Sequence, residues 1–509
     1  MMPSLLGLPL ELLEQIVQET IPADFEATAL SCKTLFAAST PFLPQYTTRR
    51  KRFQNFTFSR KVKKPEGTRE FDSGVYWDNV TQETGIQIVT TRGLLEYIAR
   101  DHSVAQYIQS IDLRGTPNEG EEDEEVMNSL EVEVPETLRN LVLTSPFIEA
   151  VGGNPNDWIG GIQYSDIDAD VFLLTLLSQV RKVTLHPRWD GLASRQTRSI
   201  IGMRNTLRNG RLWPVLKLMT HRANNLEEYP DAPLSKLSVV RPSRDMGYNE
   251  KSPLTLFVPL LAINSVSEVS LSSCVFKNDG YTGIAFDPMV KCYSINLRKL
   301  TLEACVAGPE ELSQLLLRIP NLEIFKFSHE TKYHGCGYNW NIGAFLDTVQ
   351  NICAKTLKEL SVTILGPWGN KGATLVDMTR FQKLTVLELD VDMLCGPPYD
   401  PSMRDLEWTE SESAGSPAWP KLINMLPVSI KRFNLHLHTF SGDHLQCISH
   451  LVEGLSDARV TKLPDLEMLG LFVRMDSGPT IPDVAFEVLS IAKRSGFSIL
   501  KLGTFIPLL

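Results

Sequence analysis

Cysteine is sparse here, and its placement excludes more than it suggests. Eight cysteines are scattered through 509 residues with no C-x-x-C pair and no zinc-type Cys/His spacing. That distribution argues against a zinc module or a dithiol redox centre and reads as free thiols in a reducing compartment. Long apolar runs are missing too: no segment offers about 18 uncharged apolar residues in succession, as a membrane-crossing helix requires. The opening residues carry no basic flank, and Glu11 and Glu14 interrupt their apolar pattern, so a secretory leader is not expected there. Positive charge is not in excess. Sixty acidic against 50 basic residues give a net charge of -10, which offers no global attraction to nucleic acid or anionic lipid. A cytoplasmic or nuclear protein is expected, with neither nucleic acid nor membrane among its partners.

Catalytic signatures are also lacking. There is no P-loop, no G-x-S-x-G elbow, no H-E-x-x-H pair and no dinucleotide fingerprint. What remains is fragmentary. His436 and His438 share one face of an expected strand, with His444 nearby, but Phe433, Leu435 and Leu437 take the opposite face, so the histidines are expected to look outward rather than to hold a metal. Asp166, Asp168 and Asp170 imitate the start of a calcium loop, yet Val171 stands where such loops need glycine and Leu177 where they need glutamate. An acid-rich helix N-terminus accounts for them better. His334-Gly335-Cys336-Gly337 reads as a glycine-rich turn, since no second base or oxyanion device accompanies the thiol. Trp368, in Gly366-Pro367-Trp368-Gly369, is a turn aromatic that could serve a contact or simply pack. No enzyme activity, cofactor or metal is expected.

What the sequence does contain is amphipathic helix, then repetition. With Pro9 in the first turn, Leu12, Leu13, Ile16 and Val17 recur at helical spacing, and Phe25, Ala29, Cys32 and Phe36 form a second stripe behind Asp24 as a candidate cap. A segment this short cannot bury enough surface to stand alone, so its stripes need the rest of the chain or a partner. Beyond it lie two basic clusters, Arg49 to Arg52 and Lys61 to Lys64, open to reading as nuclear-import or phosphate-contacting patches but more simply a solvated helix face and a charged loop. Phe53, Phe56 and Phe58 then alternate as a strand would.

From about Gly93 onward one phrase returns: apolar, two others, apolar, one other, apolar. It runs through Ile108-x-x-Ile111-x-Leu113, Leu138-x-x-Leu141-x-Leu143, Val180-x-x-Val183-x-Leu185, Leu234-x-x-Leu237-x-Val239 and Val266-x-x-Val269-x-Leu271. It continues from Leu297, Leu322, Leu357, Leu384, Ile430 and Leu466, and ends at Phe497-x-x-Leu500-x-Leu502. Such a phrase supplies one short parallel strand per unit, whose period-two residues share a core. Helical stretches such as Glu310 to Leu317 and Phe172 to Leu177 fall between strands. They favour a solenoid over a propeller of short strands. Uneven spacing implies insertions, with Glu119 to Glu125, Gly152 to Gly161, Arg188 to Pro230 and Cys395 to Trp419 as the candidates. Target contacts are expected on that rim and on the strand face.

The run Leu8-Pro9-x-Glu11-Leu12-Leu13-x-x-Ile16, then Asp24-Phe25 and Ser31-Cys32-Lys33, resembles the F-box family, and the cysteines that follow two strands, Cys274 and Cys305, resemble those of F-box leucine-rich repeats. Ser31 stands where the family has valine and Leu35 where it has tryptophan. The resemblance implies an α/β chain with an N-terminal α-helical F-box over 1–45, a connector over 46–92 and an irregular leucine-rich-repeat solenoid over 93–509, its parallel strands concave and its helices convex. It also implies that Leu8, Pro9, Leu12, Leu13, Ile16, Phe25, Cys32, Lys33, Leu35 and Phe36 carry contact with a Skp-type adaptor, or the packing behind that contact. Through the adaptor the chain would reach a cullin, as the non-catalytic receptor of a ubiquitin ligase that holds an unidentified protein target. An interaction scaffold acting outside any ligase is the other reading of the same features.

Overall fold

The computed structural model describes residues 5–58, 88, 90–115, 133–186, 189, 210–242, 252–277, 286–288, 293–330, 340–366, 371–372, 377–395, 419–437 and 442–473. They form a mixed α/β protein of parallel strands and helices, divided between two compact units. The first is drawn chiefly from the chain up to Ser243, the second chiefly from Ser267 onward. Among the described residues no helix is long and apolar enough to cross a membrane.

The first unit opens on helices α1 (Leu10–Glu19), α2 (Phe25–Ser31), α3 (Lys33–Ser39) and α4 (Leu43–Phe53). Strand β1 (Asn55–Thr57) follows at once, with Phe56 and Phe58 buried as their alternation predicts. The parallel strands therefore begin inside the stretch read from the sequence as a connector. Helices α5 (Thr91–Arg100) and α6 (Ser103–Tyr107) lead to β2 (Ser110–Asp112). Then come α7 (Glu136–Leu143), α8 (Pro146–Ala150), α9 (Pro155–Tyr164), α10 (Asp166–Leu174), β3 (Lys182–Thr184), α11 (Leu212–Ala223) and β4 (Val239–Arg241). Strands β1 to β4 pair in chain order, all parallel.

Two repeat phrases of this unit differ from their expectation. Leu138-x-x-Leu141-x-Leu143 is not a strand but the body of α7, with Leu138 and Val142 buried four residues apart and Leu143 exposed. Spacings of three and four serve a helix as well as they serve the phrase, and Pro135 immediately before Glu136 favours the helix. In the fourth phrase the frame slips by one: Val240, not Val239, is the buried residue and pairs with Val183, so the phrase runs Leu237-x-x-Val240.

The second unit follows the phrase closely. Among the described residues its strands of three residues or more are β5 (Glu268–Ser272), β6 (Cys274–Phe276), β7 (Lys299–Ala307), β8 (Ile324–Glu330), β9 (Glu359–Gly366), β10 (Val386–Asp390), β11 (Arg432–Leu437) and β12 (Met468–Val473). Strands β5, β7, β8, β9, β10, β11 and β12 pair parallel in that order, and the ladder does not close on itself. Helices α12 (Pro309–Leu316), α13 (Ile342–Cys353), α14 (Asp392–Cys395), α15 (Gly442–Leu451) and α16 (Leu455–Lys462) lie between strands.

The apolar phrase residues stack in register as layers: Val269, Leu300, Phe325, Leu360, Leu387 and Phe433 are each buried against the next strand's counterpart. Burial of a side chain that size contributes about 1.5 to 3 kcal/mol, so the layers supply much of what orders the backbone. The final phrase at Phe497, the cluster at Lys61, the acidic run at Glu119, the turn at His334 and Cys336, Trp368 and His438 all lie outside the described residues.

Two further expectations are corrected. Cys395 and Cys447 are not free thiols but form a disulfide, because α14 and α15 bring their Cα atoms to 5.9 Å. Cys32, Cys274, Cys305 and Cys353 are free. His436 does take the face opposite Phe433 and Leu435, yet it is buried rather than outward-looking, with its ring stacked 5.0 Å from that of Phe472 on β12.

Candidate functional site

The leading helices hold a small core of their own. Leu13 and Val17, one turn apart on α1, are buried with Phe25 and Ala29 of α2 and Leu35, Ala38 and Ser39 of α3. The Phe25 ring lies 4.4 Å from that of Tyr46, which lies 5.8 Å from that of Tyr107 on α6. Burial pushes both tyrosine hydroxyls up from their usual range.

Three arginines of the basic cluster reinforce this contact. Arg49 donates to Asp101 at 2.5 Å and to Ser103 at 2.9 Å, Arg50 pairs with Glu26 of α2, and the Arg52 guanidinium lies over the Tyr97 ring at 5.2 Å. All three of these arginines engage neighbours within the first unit.

Around that core the helices show an incompletely covered apolar surface. Leu10, Leu12, Leu30 and Phe36 are 51%, 43%, 78% and 48% exposed. Pro9 and Lys33 are exposed as well, while Leu8, Ile16 and Cys32 are half-buried. The ten residues singled out by the sequence therefore divide into two sets. Leu13, Phe25 and Leu35 form the packing, and Pro9, Leu12, Lys33 and Phe36 reach solvent with Leu8, Ile16 and Cys32 between. On α1, Leu12 and Ile16 follow at helical spacing of four, a stripe beside the buried Leu13 and Val17, while Leu8 lies just before the helix. Leu10 and Leu30 were not anticipated. An exposed leucine has no motif signature, and only the packing of α1 to α3 reveals which leucines are left over.

The polar positions of the second unit's sheet form another row, itself largely enclosed, with Thr301, Ser361 and Asn434 buried. Between the buried layers, Ser270, Thr301, Lys326, Ser361, Glu388 and Asn434 stand in register on successive strands. Its charges are mostly satisfied across strands: Lys299 with Glu268 at 3.1 Å, Lys326 with Glu359 at 2.6 Å, and the Asn434 amide donating to Glu388 at 2.9 Å. Such a row carries neither strong sign.

No arrangement for covalent chemistry emerges from the described parts of the sequence candidates. Asp168 is paired with Arg211 at 2.5 Å, and Asp170 accepts a hydrogen bond from Thr91 at 2.6 Å. The three aspartates open α10, whose N-terminus is capped by the Ser165 hydroxyl accepting from the Asp168 N–H. Among the described residues no cluster of His, Cys, Asp and Glu is arranged to hold a metal ion. The chain matches no protein-family model and no curated protein.

Proposed function

We propose that the chain is a target-holding subunit of a Skp-cullin-F-box ubiquitin ligase, with α1 to α3 as the F-box and the parallel strands with their helices as a leucine-rich-repeat solenoid. One observation carries the reading: the leading helices have a finished core and still present Leu10, Leu12, Leu30 and Phe36 to solvent. Leaving a leucine or phenylalanine uncovered forgoes about 1.5 to 3 kcal/mol each, and apolar surface gathered on one small helical module is characteristic of a docking site. The residues that resemble the F-box motif fall on the same module.

In this reading the chain performs no bond chemistry. It fastens an adaptor at α1 to α3 and a polypeptide target on the repeats, which raises the effective concentration of the target's lysines near a charged conjugating enzyme.

The test is co-purification of a Skp-type adaptor and a cullin with the intact chain and with a Leu12→Asp/Phe36→Asp variant. Both side chains are exposed, so the variant keeps its helical circular dichroism. Adaptor and cullin are expected with the wild type, and at least about a tenfold loss with the variant, as two hot-spot truncations would give. Equal recovery of adaptor defeats the proposal. Recovery of adaptor without cullin transfers the chain to the scaffold reading.

A further inference from the structure

Helix α14 is a single turn, Asp392–Cys395, between β10 and the longest connection that joins sheet neighbours in the second unit, from Asp390 to Arg432. One turn of helix has too few internal hydrogen bonds to persist by itself. Met393 and Leu394 are buried, and two links run from this segment to the next repeat: the Val391 N–H donates to the His436 carbonyl at 2.8 Å, and Cys395 is bonded to Cys447 of α15. The two cysteines occupy corresponding places, each in the first helix after its strand, β10 for Cys395 and β11 for Cys447. Their bond closes a loop of sequence separation 52 that contains β11.

The two sulfurs differ in access. Cys395 is half-exposed, whereas Cys447 is fully buried beside Ile448 and Leu451. We propose that this disulfide is a dithiol-sensitive staple, and that its reduction frees α14 and loosens β11 while the strands from β5 to β9 stay as they are. The inference is independent of the adaptor reading.

A dithiol reductant enters at Cys395. Its thiolate attacks Cys395 Sγ, a new S–S bond forms there, the bond to Cys447 breaks, and Cys447 departs as a thiolate that takes up a proton. The reagent's second thiol then displaces Cys395 Sγ and closes the reagent into its own disulfide. Two electrons pass to the protein, leaving two thiols. Because Cys447 must depart into apolar surroundings, where a thiolate is poorly solvated, the staple resists monothiols more than its half-exposed partner alone would suggest.

Hydrogen exchange of the full chain, purified without reductant, tests this with and without dithiothreitol. Reduction is expected to raise amide exchange at least about tenfold in Arg432–Leu437 and across α14, with Lys299–Ala307 unchanged. A Cys395→Ser/Cys447→Ser variant is expected to exchange fast at the same amides and to ignore the reductant. Linkage is checked on the same sample by alkylation under denaturing, non-reducing conditions, where neither cysteine should react. The proposal is overturned if both cysteines alkylate before reduction, if exchange in β11 is the same with and without dithiothreitol, or if the double variant still responds to it.

Discussion

Adjacent leucines in α1 have opposite fates. Leu12 and Leu13 are separated by 100° of helix, so one faces Phe25 and Leu35 while the other faces water. Nothing in a sequence motif separates the two, since both are apolar and both match. Asp170 shows a different residue-scale tension. It is fully buried, its Oδ1 accepts from Thr91, and its Oδ2 has no hydrogen-bond partner. Burial raises its carboxyl well above the usual range, opposed in part by the Thr91 hydrogen bond. A carboxyl raised on folding stabilises fully below its unfolded pKa, near 3.8, and loses that contribution as pH rises toward the folded value. Asp170→Asn keeps the Thr91 bond and removes the titration. The variant should therefore match the wild type near pH 4 and exceed it at pH 7, with the gap opening by about 1.4 kcal/mol per pH unit across the window between the two pKa values. Urea unfolding at several pH values reads this directly, and a constant gap would count against it.

At the scale of elements, the repeat phrase was legible wherever a strand buries its period-two residues, whatever the length of the connection before it. From β5 to β11 every residue the phrase names is buried. It failed at α7 because an apolar residue, two spacers and another apolar residue is equally a helical face, and only the sheet's register decides between them. It slipped at β4 because Val239 and Val240 are both β-branched and only pairing with Val183 chooses one. The disulfide was invisible because 52 residues separate its cysteines, and proximity came from two successive repeats lying side by side. His436 looked outward by alternation alone, which ignores what an adjacent strand places beside it. The layers also predict an asymmetry along β8. Phe325→Ala should cost about 3 to 5 kcal/mol, since its ring is wholly buried. Lys326→Ala, whose ion pair with Glu359 is more than a third exposed, should cost under about 1 kcal/mol. Denaturant midpoints with unchanged slope check both.

At the scale of the whole molecule, α4 joins the leading helices to the rest of the first unit. A boundary at residue 45 falls inside α4, Leu43–Phe53, which carries Tyr46, Arg49 and Arg52 into contact with α5 and α6. Removing residues 1–45 would cut that helix and uncover Tyr46, which is buried. Such a truncation should lower the thermal midpoint of the first unit by several degrees, about what 1 to 2 kcal/mol produces in a domain of this size. The paired surface substitutions at Leu12 and Phe36 should leave it within about a degree. Differential scanning calorimetry separates the two, and point variants are therefore the cleaner way to silence the leading helices.

Helix α4 runs straight into β1 without a linker, and the Gln54 carbonyl just past its end already accepts from the Gln109 and Ser110 N–H groups at the start of β2. The leading module is thus welded to the first rungs of the ladder rather than tethered to them. Anything bound to those helices would inherit a fixed bearing on β1 and β2, with no swivel at this joint.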